Sequence, residues 1–165
     1  MPNISIKPHS IKFIHYGANH FNLNKFKSIL ETDAKHRYFI NRRQGGLWAS
    51  PIKSNNSWRD YCKRDRWNLE NFKKSFVFRL KHTAKVLVIN SKQDFLDALE
   101  DYPYPSSGED IYLDFDLIQR DYDAMFLTDK GHYSNYWHPD NRSDMNSWSC
   151  ESIQIFNPDC IKLAK

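Results

Sequence analysis

The chain has 165 residues, 40% of them hydrophobic, which suits one domain spanning 1–165 around one sizeable core. No apolar run approaches the roughly 18 residues of a membrane-spanning helix, and Met1 to Ser10 is too polar for a secretory leader, so a soluble, cytoplasmic chain without a membrane partner is expected. The net charge of +4 hides an asymmetry: residues 1–85 hold 18 Lys and Arg against 5 Asp and Glu, and residues 86–165 hold 6 against 15. The basic half either meets the acidic half across the fold or forms a surface that attracts a polyanion.

Ile11 to His15 is a short β-prone run. Asn22 is placed to cap a helix with Leu23, Phe26 and Leu30 on one face, fading near Asp33. Arg37 to Asn41 reads as a strand or turn, and Gly45-Gly46 interrupts the chain before Leu47-Trp48-Ala49. Ser57-x-x-Asp60 is a capping signal for a helix with Trp58, Tyr61 and Cys62 on one face and Arg59, Lys63, Arg64 and Arg66 around it.

Phe76, Phe78 and Leu80 alternate with Val77, Arg79 and Lys81, the period of a half-buried strand, and Lys85 to Ile89 reads as a more fully buried one. Ser91-x-x-Asp94 caps a further helix, and Pro103 to Gly108 forces a loop. A short helix through Leu117, Ile118 and Tyr122 leads into the strand Ala124 to Leu127. From Asp129 to Ser149 no periodicity is visible, yet the segment is dense in aromatics, including Tyr133, Tyr136, Trp137 and Trp148, and so reads as a binding loop.

The three cysteines, Cys62, Cys150 and Cys160, lack Cys-x-x-Cys spacing, which argues against a disulfide framework and a structural zinc site. His132, His138 and Cys150 likewise lack metal-ligand spacing, so no metal is expected. The five glycines form neither Gly-x-Gly-x-x-Gly nor a P-loop, which disfavours a Rossmann dehydrogenase or a nucleotide kinase.

Three pieces remain: His15-Tyr16-Gly17; Gly46-Leu47-Trp48-Ala49-Ser50 running on to Tyr61-Cys62; and Cys150-Glu151-Ser152-Ile153-Gln154-Ile155-Phe156. In this order they resemble the ADP-ribosyltransferase superfamily, of the poly-ADP-ribose polymerase and diphtheria-toxin kind. The resemblance implies an α+β fold, with a split, mixed and mainly antiparallel β-sheet core flanked by helices. It also implies NAD as substrate and no metal. Under it Glu151 is the catalytic carboxylate, bonding the 2′-hydroxyl of the nicotinamide ribose. His15 holds the adenosine ribose and Gly17 offers a backbone contact to the carboxamide. Because Tyr16 separates the two, alignment on Gly17 would put Tyr16 in the histidine's place. Trp48 stands where the family has a tyrosine and offers a stacking face; Trp58 or Tyr61 would close the other side of the ring. Ser54 or Ser57 would bond the nicotinamide amide.

The family's arginine-modifying members carry Glu-x-Glu, whereas Ser149 stands two before Glu151, so protein arginine is disfavoured as the acceptor. Nucleic acid is the favoured acceptor, met by Arg59, Lys63 and Arg66 and by the loop aromatics Tyr133, Tyr136 and Trp137. A protein acceptor is the alternative. The size of the chain suits the toxin of a toxin–antitoxin pair or a phage-conflict effector, with an antitoxin or inhibitor as a further partner. Outside this class, the sequence also fits a non-catalytic nucleic-acid-binding domain.

Overall fold

The computed structural model describes residues 6–29, 41–42, 44–105, 111–135, 145 and 147–164. In chain order these form β1 (Phe13–Tyr16), β2 (Leu47–Pro51), α1 (Trp58–Asp65), β3 (Ser75–Leu80), β4 (Val86–Ile89) and α2 (Lys92–Asp101). Then follow β5 (Pro103–Pro105), β6 (Ile111–Leu113), α3 (Phe115–Asp121), β7 (Ala124–Leu127), α4 (Asp129–Asn135), β8 (Ser152–Ile155) and β9 (Ile161–Leu163).

Local chemistry sets the helix starts. The Ser57 side chain accepts from the Asp60 N–H while the Asp60 carboxylate accepts from the Ser57 N–H, a complete capping box at the head of α1. Ser91 accepts from the Asp94 N–H at the head of α2, and Asp114 accepts from the Asp116 and Leu117 N–H groups at the head of α3. Each bond satisfies a donor that the first helical turn leaves without a partner.

The fold is mixed α+β, with a curled seven-stranded sheet in the order β4-β7-β8-β2-β1-β3-β9 and helices around it. Only β4 and β7 run parallel; the other adjacent pairs are antiparallel. β7 and β8 are buried at every position, because apolar side chains cover both faces of the centre of the sheet. On one face Phe13, Ala49, Phe78, Phe126, Ile153 and Ile155 form a core. On the other, Met125 and Leu127 meet Phe95, Ile118, Met145 and Trp148, which come from the helices and from the segment before β8. All three cysteines are free and buried, and burial pushes the thiols of Cys150 and Cys160 up to about 12.

Several elements differ from the sequence expectation. After Asn22 there is only a 3-10 turn, Leu23–Lys25, because the Asn22 side chain takes the Asn24 N–H and Phe26 returns to extended backbone. Leu30 and most of the segment 37–41 lie outside the described residues. β4 sits at the edge of the sheet, so Val86, Leu87 and Val88 are half-buried rather than enclosed. Pro103–Pro105 is a strand paired antiparallel with β6, where proline is tolerated because a two-stranded ribbon is all edge. The first third of the expected aromatic loop is helix α4, and Trp148 is a core residue, 1% exposed, whose indole N–H donates to the Asn41 carbonyl.

Gly131 lets α4 lie against the end of β4, since a Cβ there would run into the Ile89 carbonyl. Replacing a helical glycine with alanine ordinarily stabilises by about 1 kcal/mol. Here Gly131→Ala is expected to destabilise by about 1–3 kcal/mol, the range for overpacking. Urea unfolding of the two proteins checks the sign.

Candidate functional site

The site lies where β1 and β2 part. They pair at Phe13–Pro51 and Ile14–Ser50, after which β2 carries its pairing to β8 through Leu47, Trp48 and Ala49. Beyond Ile14 the Trp48 carbonyl is met by a side chain: His15 Nδ1 donates to it at 2.7 Å. That bond fixes the proton on Nδ1 and leaves Nε2 as an acceptor. The ring lies 5.0 Å from Phe76, and burial holds its pKa below the usual histidine value, with the bond to Trp48 acting the other way.

Strand alternation sends Ile14 and Tyr16 to one face and His15 and Gly17 to the other, and a hollow opens on each. The first, about 260 Å³, has Tyr16, Trp48, Trp58 and Trp148 among its walls, with Arg42 and Ser50 between them. The Trp48 ring meets Trp148 edge-on at 4.7 Å, and the Arg42 guanidinium carbon lies 5.3 Å from the Trp48 ring centre. Trp58 is held by its backbone N–H, which donates to Ser50 Oγ. The second hollow, about 440 Å³, is more polar, with His20, Lys25, Lys74 and Gly17 on its walls. His15 borders both.

The other residues singled out from sequence fall in several places. Gly17, at φ +105°, turns the chain out of β1, and its N–H is already bonded to the Lys74 carbonyl. Tyr61 stacks on Trp58 at 5.4 Å rather than on the wall of the first hollow. The Ser57 hydroxyl donates to the Asp60 carboxylate and is engaged in the cap. Ser54 Oγ accepts from the Asn56 N–H and also bonds the Glu151 carboxyl. Arg59, Lys63 and Arg66 are exposed on and just after α1, and Tyr133 is 88% exposed on α4. Tyr136, Trp137 and His138 lie outside the described residues.

Glu151 is placed at the bend before β8. Its neighbours Cys150 and Ser152 line the first hollow, but its own carboxyl is turned to Ser54 and to the Asp129 backbone. Burial raises its pKa and the nearby Asp129 adds to the rise, while the bonds from Ser54 and the Asp129 backbone oppose it. Beside it the Asn56 side-chain amide donates to Asp129 Oδ1 at 2.9 Å and lies 3.3 Å from His132 Nδ1. The His132 pKa is lowered by burial.

Sequence reading did not single out Ser50 or Arg42 for a site, or Trp148 for this wall. Ser50 was within reach of it, being two residues from Trp48 on the same strand and therefore on the same face. Among the described residues no cluster of His, Cys, Asp and Glu is arranged to hold a metal ion, and no helix is long and apolar enough to cross a membrane. Compared with known proteins, the chain matches no family model, no curated protein and no solved structure.

The two half-buried histidines have a measurable consequence. Each binds its proton less tightly folded than unfolded, so between the folded pKa and about 6.5 the unfolded chain carries more protons. Their contribution to stability is complete above about pH 6.5 and is lost as the pH falls through the folded values. The histidines act to lower the denaturation midpoint from about pH 7 to about pH 5 while Glu151, whose pKa is raised, acts the other way, so His15→Gln and His132→Gln are each expected to shift the slope toward greater stability at low pH. An unchanged slope in both variants contradicts the assignment.

Proposed function

We propose that the chain is an NAD-dependent ADP-ribosyltransferase, moving ADP-ribose from NAD to a macromolecular acceptor, as its three motifs imply. One observation carries the reading. The three pieces fall on neighbouring strands, β1, β2 and the start of β8, and His15 stands between an aromatic hollow and a basic one. NAD is a ligand of matching character, flat and apolar at the nicotinamide end and anionic at the pyrophosphate. Trp48 and Trp58 offer faces for the nicotinamide, while Lys25 and Lys74 offer charge to the phosphates.

In the reaction the bond between ribose and nicotinamide breaks and the nicotinamide leaves with the bonding electron pair. The ribose is left as an oxocarbenium-like cation, which the acceptor then attacks. A carboxylate beside that cation lowers the barrier. In this reading Glu151 takes the role from beside the aromatic hollow, whose wall holds its neighbours Cys150 and Ser152, exchanging its contacts with Ser54 and the Asp129 backbone for the ribose hydroxyl. The turn of its carboxyl away from the hollow favours a second reading, a non-catalytic nucleic-acid-binding domain that uses no NAD.

Incubation of the pure protein with NAD separates the two, because nicotinamide release belongs only to the enzyme. Glu151→Gln keeps the shape and removes the charge, so NAD cleavage should fall about 100-fold or more with the fold retained. Because burial raises the Glu151 pKa, the acid limb of the activity profile should lie above the ordinary glutamate value of about 4.3. Trp48→Ala should weaken NAD binding more than Trp48→Phe in a calorimetric titration. Undiminished turnover in the Glu151 variant removes that residue from the chemistry.

A further inference from the structure

The described residue that most exposes a large aromatic ring on the basic half is Trp67, 46% accessible. It packs edge-on against Trp58 at 5.4 Å and against Tyr61 at 6.3 Å, while Trp58 and Tyr61 stack on each other with planes 24° apart. The Arg64 guanidinium carbon lies 5.3 Å from the Tyr61 ring centre. Three aromatic rings thus share one exposed ledge.

The backbone is bent to hold this ledge out. Arg66 and Asn68, on either side of Trp67, are both left-handed, at φ +55° and +57°, and are the non-glycine residues of positive φ among those described. Arg66 closes α1 with its N–H directed to the Cys62 and Lys63 carbonyls, at a position where glycine is the usual choice. Two such residues in a row of three cost free energy that ordinary packing has no need to spend, and strain of this kind gathers at functional sites.

Charge completes the ledge. Residues 53–74 contain seven Lys and Arg against three acids, and the acids are engaged: Asp60 in the cap, Asp65 with Arg64, and Glu70 with Lys73. Arg59, Lys63 and Arg66 remain exposed beside the rings. The ledge is also continuous with the aromatic hollow, since Trp58, Asn68 and Asn71 belong to its wall.

We propose that Trp58, Tyr61 and Trp67, with Arg59, Lys63 and Arg66 beside them, form a platform for single-stranded nucleic acid, which leads a nucleotide from the exposed ledge to the mouth of the hollow. Unpaired bases stack on such rings whatever their sequence, and the cations follow the phosphates. A duplex keeps its bases in its own stack and engages the charges alone. The role of this strand as acceptor rests on the transfer reading above, whereas the binding does not.

The test is titration of the full chain with fluorescent oligouridylate and oligothymidylate of about 12 nucleotides, beside a duplex of equal charge. Single strands should bind more tightly than the duplex, Trp67→Ala should weaken them about ten-fold or more, and Trp67→Phe should retain most of the affinity. Arg66→Gly keeps the left-handed cap and should lower the slope of log affinity against log salt by about one. Equal binding of the duplex, or an affinity unmoved by Trp67→Ala, overturns the platform. NAD cleavage to water, measured on wild type and Trp67→Ala in parallel, keeps the two readings apart. Strand binding lost with cleavage intact supports the platform and leaves the transfer reading standing. Strand binding as described with no cleavage even in wild type removes the transfer reading alone. Labelling of protein but not of either strand in a mixed extract overturns the acceptor role.

Discussion

The parting of β1 from β2 is the constraint on which the rest of the site depends. A strand in the middle of a sheet normally spends its carbonyls on its neighbours, but β2 changes partner along its length, from β1 at Ser50 and Pro51 to β8 at Leu47 to Ala49. A buried carbonyl without a donor costs about 1–3 kcal/mol, and the His15 ring supplies that donor at Trp48. Gly46 performs a related service at the entry to β2. Its φ of +64° and its lack of a Cβ allow the chain to pass against the Ile155 carbonyl, a place no side chain can occupy. With the split held open from both sides, the sheet carries hollows at its centre rather than at its rim.

Burial then sets the protonation states around the split. His15 and His132 are held toward the neutral form and Glu151 toward the protonated one, so the low dielectric acts on all three in the direction of less charge. Asn56 ties the turn after β2 to the head of α4 through Asp129, and the Asn56 carbonyl accepts from the Glu151 N–H at 2.9 Å. The bend that aims Glu151 is therefore made by three segments far apart in sequence.

That dependence decides what was legible beforehand. The capping box at Ser57 and the Ser91 cap are each complete within a few residues, and β3 declares itself by period-two alternation, so these could be read locally. The mixed, mainly antiparallel sheet was implied by the motif resemblance rather than by those local signals. Helix α4 was hidden because its sequence, Asp-Lys-Gly-His-Tyr-Ser-Asn, has no apolar stripe; it is fixed by Gly131 against β4 and by Thr128 Oγ1 accepting the Gly131 N–H. Trp148 looked like a loop aromatic because its burial comes from residues such as Trp48 and Asn41, a hundred or more positions away. The face of Glu151 was the least readable of all, since a shift of one residue at the start of a strand turns every side chain over. Ile153 and Ile155 share a face, but Glu151 itself sits in the bend before the strand.

The uneven charge of the two halves acquires its meaning from the strand order. β1 and β3, with α1, carry the basic half toward one side of the sheet, while β4 and β7, with α2 and α3, carry the acidic half toward the other. Ion pairs within the basic half are local, Arg64 with Asp65 and Lys73 with Glu70. On the proposed platform, a polyanion approaching the molecule is drawn to the side that holds α1 and turned away from the side that holds α2 and α3, over a range of about 8 Å at physiological salt. Orientation of that kind costs nothing in contacts, and on the same proposal it brings a strand to the ledge of Trp58, Tyr61 and Trp67 beside the hollow.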